Sequence, residues 1–167
     1  MKIRSVFSAF IFLFTALTGL AAKPESSGPE PDALLKKLYQ LNSAHKGPFF
    51  DRKNNGLVAQ YFTPELAGLI VKDEVASKGE VGAYDFDPLY DSQDPDVKNF
   101  KIGEVHWPKD GVAAVTVTFK DGGKPRQLPF TFQQQKDKTW RISDIAYPDG
   151  TSLAGILRKV YPAGKAK

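Results

Sequence analysis

Ala113-Ala-Val-Thr-Val-Thr-Phe119 decides the fold. Ala113, Val115, Val117 and Phe119 fall on one side of an extended chain while Thr116 and Thr118 fall on the other. That twofold period is the signature of a half-buried antiparallel strand. Lys109-Asp110-Gly111 turns the chain into it, and Phe100 and Ile102, with a shift toward Val105 and Trp107, predict the strand before. Asp121-Gly122-Gly123 predicts the hairpin after it, because glycine supplies the positive φ that such turns need. Leu128, Phe130 and Phe132 share a face of the third strand, and Pro129 between them cannot donate to a ladder, which predicts an edge strand or a bulge. In Thr139–Tyr147, Trp140 and Ile142 have one parity while Ile145 and Tyr147 have the other. One extra residue near Ser143 and Asp144 brings them all to the core side and curves the sheet. Ser152–Tyr161, with Leu153, Ile156, Leu157 and Val160, reads as a short closing helix.

Toward the N-terminus the period becomes helical. Pro31 suits a first helical position, and Leu34, Leu35, Leu38 and Leu41 recur opposite Lys36, Lys37 and Gln40, so a helix is expected over Pro31–Ser43. Gly47 to Asn55 interrupts it, and Leu57, Val58, Tyr61 and Phe62 predict a short helical turn. Thr63-Pro64-Glu65 restarts a helix, with Leu66, Leu69, Ile70 and Val75 on one face and a stop near Lys78 and Gly79. Helices followed by an antiparallel meander define an α+β fold. N-terminal helices are expected to pack in the concavity of a curved sheet of four strands.

Met1–Ala22 carries Lys2 and Arg4, then the apolar run Val6–Leu20, then small residues at Gly19, Ala21 and Ala22. This is the pattern of a signal peptide cleaved after Ala21 or Ala22. Its apolar core of about 15 residues is short for a bilayer span, although a retained anchor is the alternative. The expected location is therefore the bacterial periplasm or the exterior. Residues 23–31 read as a flexible leader, 32–161 as one domain and 162–167 as a disordered tail. No cysteine occurs, which removes disulfides, thiolate metal sites and cysteine nucleophiles. Without Lys2 and Arg4, 21 basic residues face 19 acids, so the net charge falls from +4 to +2. No run of five like charges exists, and nucleic-acid binding gains no support.

Asp85-Phe-Asp-Pro-Leu-Tyr-Asp-Ser-Gln-Asp-Pro-Asp96 gathers five carboxylates, two aromatics and two prolines. With Tyr61-Phe-Thr-Pro-Glu-Leu66 and Thr139-Trp-Arg-Ile-Ser-Asp-Ile145, it resembles the bacterial exported domain-of-unknown-function family 3828, over Ala33 to Val160. The resemblance implies a cone of the nuclear transport factor 2-like or cystatin-like kind, and export; it implies no activity.

A calcium loop fits the acid segment only superficially. Asp85, Asp87, Asp91, Gln93 and Asp96 match positions of an EF-hand, but Leu89 and Tyr90 stand where an oxygen ligand and glycine are needed. No metal or other cofactor is expected. The structural reading has aspartates accepting bonds from backbone amides in successive turns while Phe86, Leu89 and Tyr90 pack inward. A ligand mouth is the functional one, with Asp85, Asp87, Tyr90, Gln93, Asp94 and Tyr61 as candidate binding residues. An isomerase-like enzyme would pair Asp87 or Asp94 as base with Tyr61 or Tyr90 as oxyanion donor. His45 reads as a cationic cap on the first helix, and His106 has no partner for a zinc site or a triad. Serines lack a Gly-x-Ser-x-Gly elbow, and no catalytic residue is assigned. The expectation is a noncatalytic binding or accessory module with a protein or small-molecule partner in the cell envelope. A small enzyme, and an inhibitor or immunity protein that plugs another protein's site, are the alternatives.

Overall fold

The computed structural model describes residues 23–50 and 55–162. The expected signal peptide and all of the expected tail but its first residue, Pro162, lie outside the described residues. The chain forms α1 (Pro31–Ser43), α2 (Asn55–Tyr61), α3 (Pro64–Ser77), β1 (Val97–Ile102), β2 (His106–Lys109), β3 (Val112–Asp121), β4 (Lys124–Gln134), β5 (Trp140–Ile145) and α4 (Leu153–Val160). This is the expected α+β class: an antiparallel sheet in the order β1-β3-β4-β5, with β2 also on β3.

The alternation of β3 becomes a buried face. Ala113, Val115, Val117 and Phe119 meet Leu128, Phe130 and Phe132 of β4, and helices cover them through Leu34, Leu35 and Leu38. Burying each such leucine contributes roughly 1.5–3 kcal/mol, so the twofold and helical stripes meet in one core. Among the described residues no helix is long and apolar enough to cross a membrane.

The sheet has five strands rather than the expected four, because Phe100–Trp107 is split in two. Gly103 lies at the break, where its N–H donates to the Thr116 carbonyl at 2.9 Å. A Cβ at Gly103 would sit 2.8 Å from that oxygen, so the chain crosses β3 too closely for a side chain. Phe100 follows a bulge at Asn99 and packs on the Tyr39 ring, 4.6 Å between centroids, with 37% of its surface left exposed.

Pro129 is not at an edge. β4 lies between β3 and β5, with Pro129 opposite Thr116. Its carbonyl accepts from Ala146 N at 2.9 Å, beyond the last ladder pair, Phe130–Ile145. Carbonyl and N–H of one residue point the same way in an antiparallel strand, so the missing donor faces the end of β5. The bulge lies instead in β5, where Thr131 pairs with Asp144 and Phe132 with Ile142. Ser143 is the extra residue; its hydroxyl donates to the Thr131 carbonyl at 3.1 Å, and Trp140, Ile142, Ile145 and Tyr147 are all buried.

Thr63 joins helices to sheet. Its hydroxyl accepts from Leu66 N at the start of α3, and its own N–H donates to the Ile142 carbonyl at 2.9 Å. α3 buries Leu66, Ala67, Ile70 and Asp73, whereas Val75, expected on that face, is 68% exposed. Val160 in α4 is likewise half-exposed, one turn past the buried Leu153 and Leu157.

α1 ends as a Schellman turn, with Lys46 N donating to the Leu41 carbonyl and His45 N to that of Asn42. His45 takes the left-handed position, φ 55°, usually given to glycine. Its backbone, not an imidazolium, closes the helix. The ring packs edge-on against Phe50, 4.9 Å between centroids, which corrects the expected cationic cap.

Candidate functional site

The acid segment is built around Asp87. Its Oδ1 accepts from Leu89 N at 2.9 Å, an Asx turn that proline at position 88 reinforces by fixing φ. Its carbonyl accepts from the Tyr90 and Asp91 amides, and its own N–H donates to the Ser92 carbonyl. Asp91 takes φ 52° to complete the turn, and Arg126 reaches it from β4 at 3.6 Å. Gln93 donates to Asp85 Oδ2 at 2.8 Å across the mouth of the loop.

Three side chains from outside fix this loop in place. Asn42 on α1 donates to Asp87 Oδ2 at 2.9 Å. The buried phenols of Tyr39 and Tyr147 donate to the Leu89 and Pro88 carbonyls at 2.7 and 3.3 Å. Burial, helped by nearby acidic groups, pushes the pKa of both phenols well above the ordinary value, which keeps them protonated donors. Leu89 is fully buried between them. Burial also raises the Asp87 carboxyl, against the lowering effect of the Asn42 and Leu89 bonds. At Asp91 burial again raises the carboxyl, and Arg126 opposes it.

Beside this loop lies a cleft of about 640 Å³ between Pro48–Phe50, α2, α3 and residues 79–93. Phe49, Tyr84 and Phe86 form an aromatic wall, with Tyr84 6.5 Å from Phe49 and 5.8 Å from Phe86 between ring centroids. The buried Val58 and Ile70 and the exposed Phe50 and Val81 also line the cleft. Asp73 accepts from Ala83 N at 2.8 Å and from the Tyr161 hydroxyl at 2.9 Å, which ties α3 to the chain after α4 and to the segment that leads into the acid loop. Gly82 is needed there, because a Cβ would collide with the Asp73 carboxylate.

The cleft brings together three of the six candidate residues, Asp85, Asp87 and Gln93. Tyr90 turns the other way, into a second groove of about 500 Å³ with Tyr39, Val97 and Phe100. Asp94 is exposed and lines neither cavity. Tyr61 is buried at the end of α2, also outside both, and burial pushes the pKa of its phenol up. Asp73, Phe49 and Tyr84 were missed as site residues. Asp73 does occupy the helical face of Leu66 and Ile70, and an acid in an apolar stripe is the signal that could have found it. Among the described residues, no cluster of three His, Asp or Glu side chains could share a metal ion.

No protein-family model, curated protein or solved structure matches this chain.

Proposed function

We propose that this is an exported, noncatalytic binding module of the bacterial cell envelope that holds a small ligand in the cleft between α2, α3 and residues 79–93. The observation that carries the reading is the cleft itself: about 640 Å³, with Phe49, Tyr84 and Phe86 in its lining, backed by a loop held from α1 and from Tyr147 just beyond β5. Small-molecule sites have this size and this mixture of apolar wall and few fixed polar groups. Both Asp87 oxygens already serve the loop and its anchor to α1, which favours holding a ligand over proton abstraction. Export rests on the pattern of Met1–Ala22 and on the resemblance noted above.

Two measurements test this. Expressed with its full N-terminus in a Gram-negative host, the protein should be recovered from the periplasm beginning at Ala22 or Lys23; cytoplasmic protein still beginning at Met1 refutes export. In an NMR screen of small molecules, binders should shift the amides of Gly82, Tyr84 and Phe86. Hits that cluster away from the cleft would count against it as the binding site.

A further inference from the structure

The groove that Tyr90 enters stands on observations of its own, independent of the cleft. We propose that it is a second ligand site and takes a small organic carboxylate: one acid group carried on an apolar body.

Two elements and the acid loop build it. Lys36, Tyr39, Gln40 and Ser43 recur at helical spacing on α1, and Val97, Phe100 and Ile102 of β1 line the groove with them and with Tyr90. Its volume of about 500 Å³ lies within the range of small-molecule sites. Phe100 packs on Tyr39 yet stays 37% exposed, and Val97 and Ile102 are only partly buried. A hydrocarbon or aromatic body resting on them would take that apolar surface out of water.

Tyr90 supplies the polar contact. Its neighbours in the core, Tyr39 and Tyr147, each donate their phenol to a carbonyl of the acid loop. Tyr90 is only 9% exposed, and its hydroxyl has no hydrogen-bond partner among the described residues. A phenol this buried ordinarily finds an acceptor. Its oxygen is not sealed in the core either, and the cavity that Tyr90 lines is this groove. The missing acceptor therefore belongs on a ligand.

Lys36 supplies the charge. Its ammonium forms no ion pair among the described residues, and it stands one turn before Tyr39 and Gln40 in the groove wall. Phenol and ammonium both donate, and a carboxylate accepts from both, with the charge strengthening each bond. An alcohol would meet the phenol and leave the ammonium uncompensated. A cationic ligand would be repelled by Lys36 and would bring a further donor to Tyr90.

Phenylbutyrate, phenylbutanol and phenylbutylammonium share one apolar body and differ in charge, so titrating each against amide NMR shifts separates body from head group. The carboxylate should shift Tyr90, Val97, Phe100 and Ile102 and bind about tenfold tighter than the alcohol, with the ammonium weakest. Lys36→Met keeps the aliphatic stem and should bring the carboxylate down to the affinity of the alcohol. Tyr90→Phe should weaken the carboxylate about tenfold without lowering the urea midpoint, because no bond within the protein is lost. Equal binding of the three compounds, or a Lys36→Met variant that keeps the preference, overturns the carboxylate. A lowered urea midpoint in Tyr90→Phe shows that the hydroxyl has a partner within the fold and overturns its role toward a ligand. Absence of shifts at the groove overturns it as a site, and shifts confined to Gly82–Phe86 do so while leaving the cleft as one. Unchanged amide dispersion establishes that both variants fold.

Discussion

The phenol of Tyr39 donates to the carbonyl of Leu89 at 2.7 Å, joining α1 to the acid loop across 50 residues of chain. Both groups are buried, so no water can replace the donor if it is removed. Tyr39→Phe keeps the ring contacts with Tyr90, Phe100 and Phe130. It should cost about 1–3 kcal/mol, the penalty of an unsatisfied buried carbonyl. Urea unfolding measures it; a loss within error would mean that the carbonyl finds another donor.

Asp87 gives a pH signature with a definite sign. Burial raises its carboxyl above the ordinary 3.8. The folded protein therefore binds this proton more tightly than the unfolded chain, and through the window from 3.8 up to the raised value stability falls as pH rises. Asp87→Asn removes that titration, so the stability of the variant relative to wild type should improve from acid pH toward neutrality. Shifts at Asp91, Asp137 and Asp149 are common to both proteins and cancel in the difference. Urea midpoints across the window decide it: a difference that stays flat, or moves against the variant, contradicts the prediction.

Ser143 sets the register of the end of β5. In a regular strand that kept Ser143, Trp140 and Ile142 would hold the core face while Ile145 and Tyr147 turned outward; deleting the extra residue instead restores strict alternation with all four still inward. Deletion of Ser143 should therefore keep cooperative thermal unfolding, at a stability lowered by loss of the bulge's curvature and of the bond to the Thr131 carbonyl. Ser143→Ala removes only the bond to the Thr131 carbonyl and should cost about 0.5–1.5 kcal/mol. A deletion variant that unfolds without cooperativity would show that the curvature made by the bulge, and not the facing of these side chains alone, holds the core together.

His45→Gly should stabilise the protein by about 0.5–1 kcal/mol, because glycine adopts the left-handed Schellman position without steric penalty. The opposing term is the lost contact with Phe50. Thermal unfolding gives the balance, and destabilisation would show that the ring contact outweighs backbone strain.

The features legible in the sequence are those that one element determines by itself. α1 runs over Pro31–Ser43 as its leucine spacing requires, and the β5 bulge follows from the parities of Trp140 and Ile145. Pro129, Val75 and His45 depended on neighbours: a strand end, the absence of a covering element and a loop on which a ring could rest. The site divides the same way. Asp85, Asp87 and Gln93 stood out as a polar cluster with aromatics and prolines, but that composition did not show that Tyr90 faces away or that Asp73 and Tyr84 approach from other segments. A cleft is made by elements meeting, and no local period encodes its volume.

The acid loop is held on one side by Tyr39 and Asn42 of α1 and on the other by Tyr147, just beyond β5. Its anchors therefore come from the first helix and from the end of the sheet, and neither alone can fasten it. Closing connections of 50 and 59 residues is entropically slow, so the loop should settle only after helices and sheet have docked. In kinetic terms it belongs to the native side of the folding barrier: the stability lost in Tyr39→Phe should appear chiefly as faster unfolding, with the refolding rate nearly unchanged.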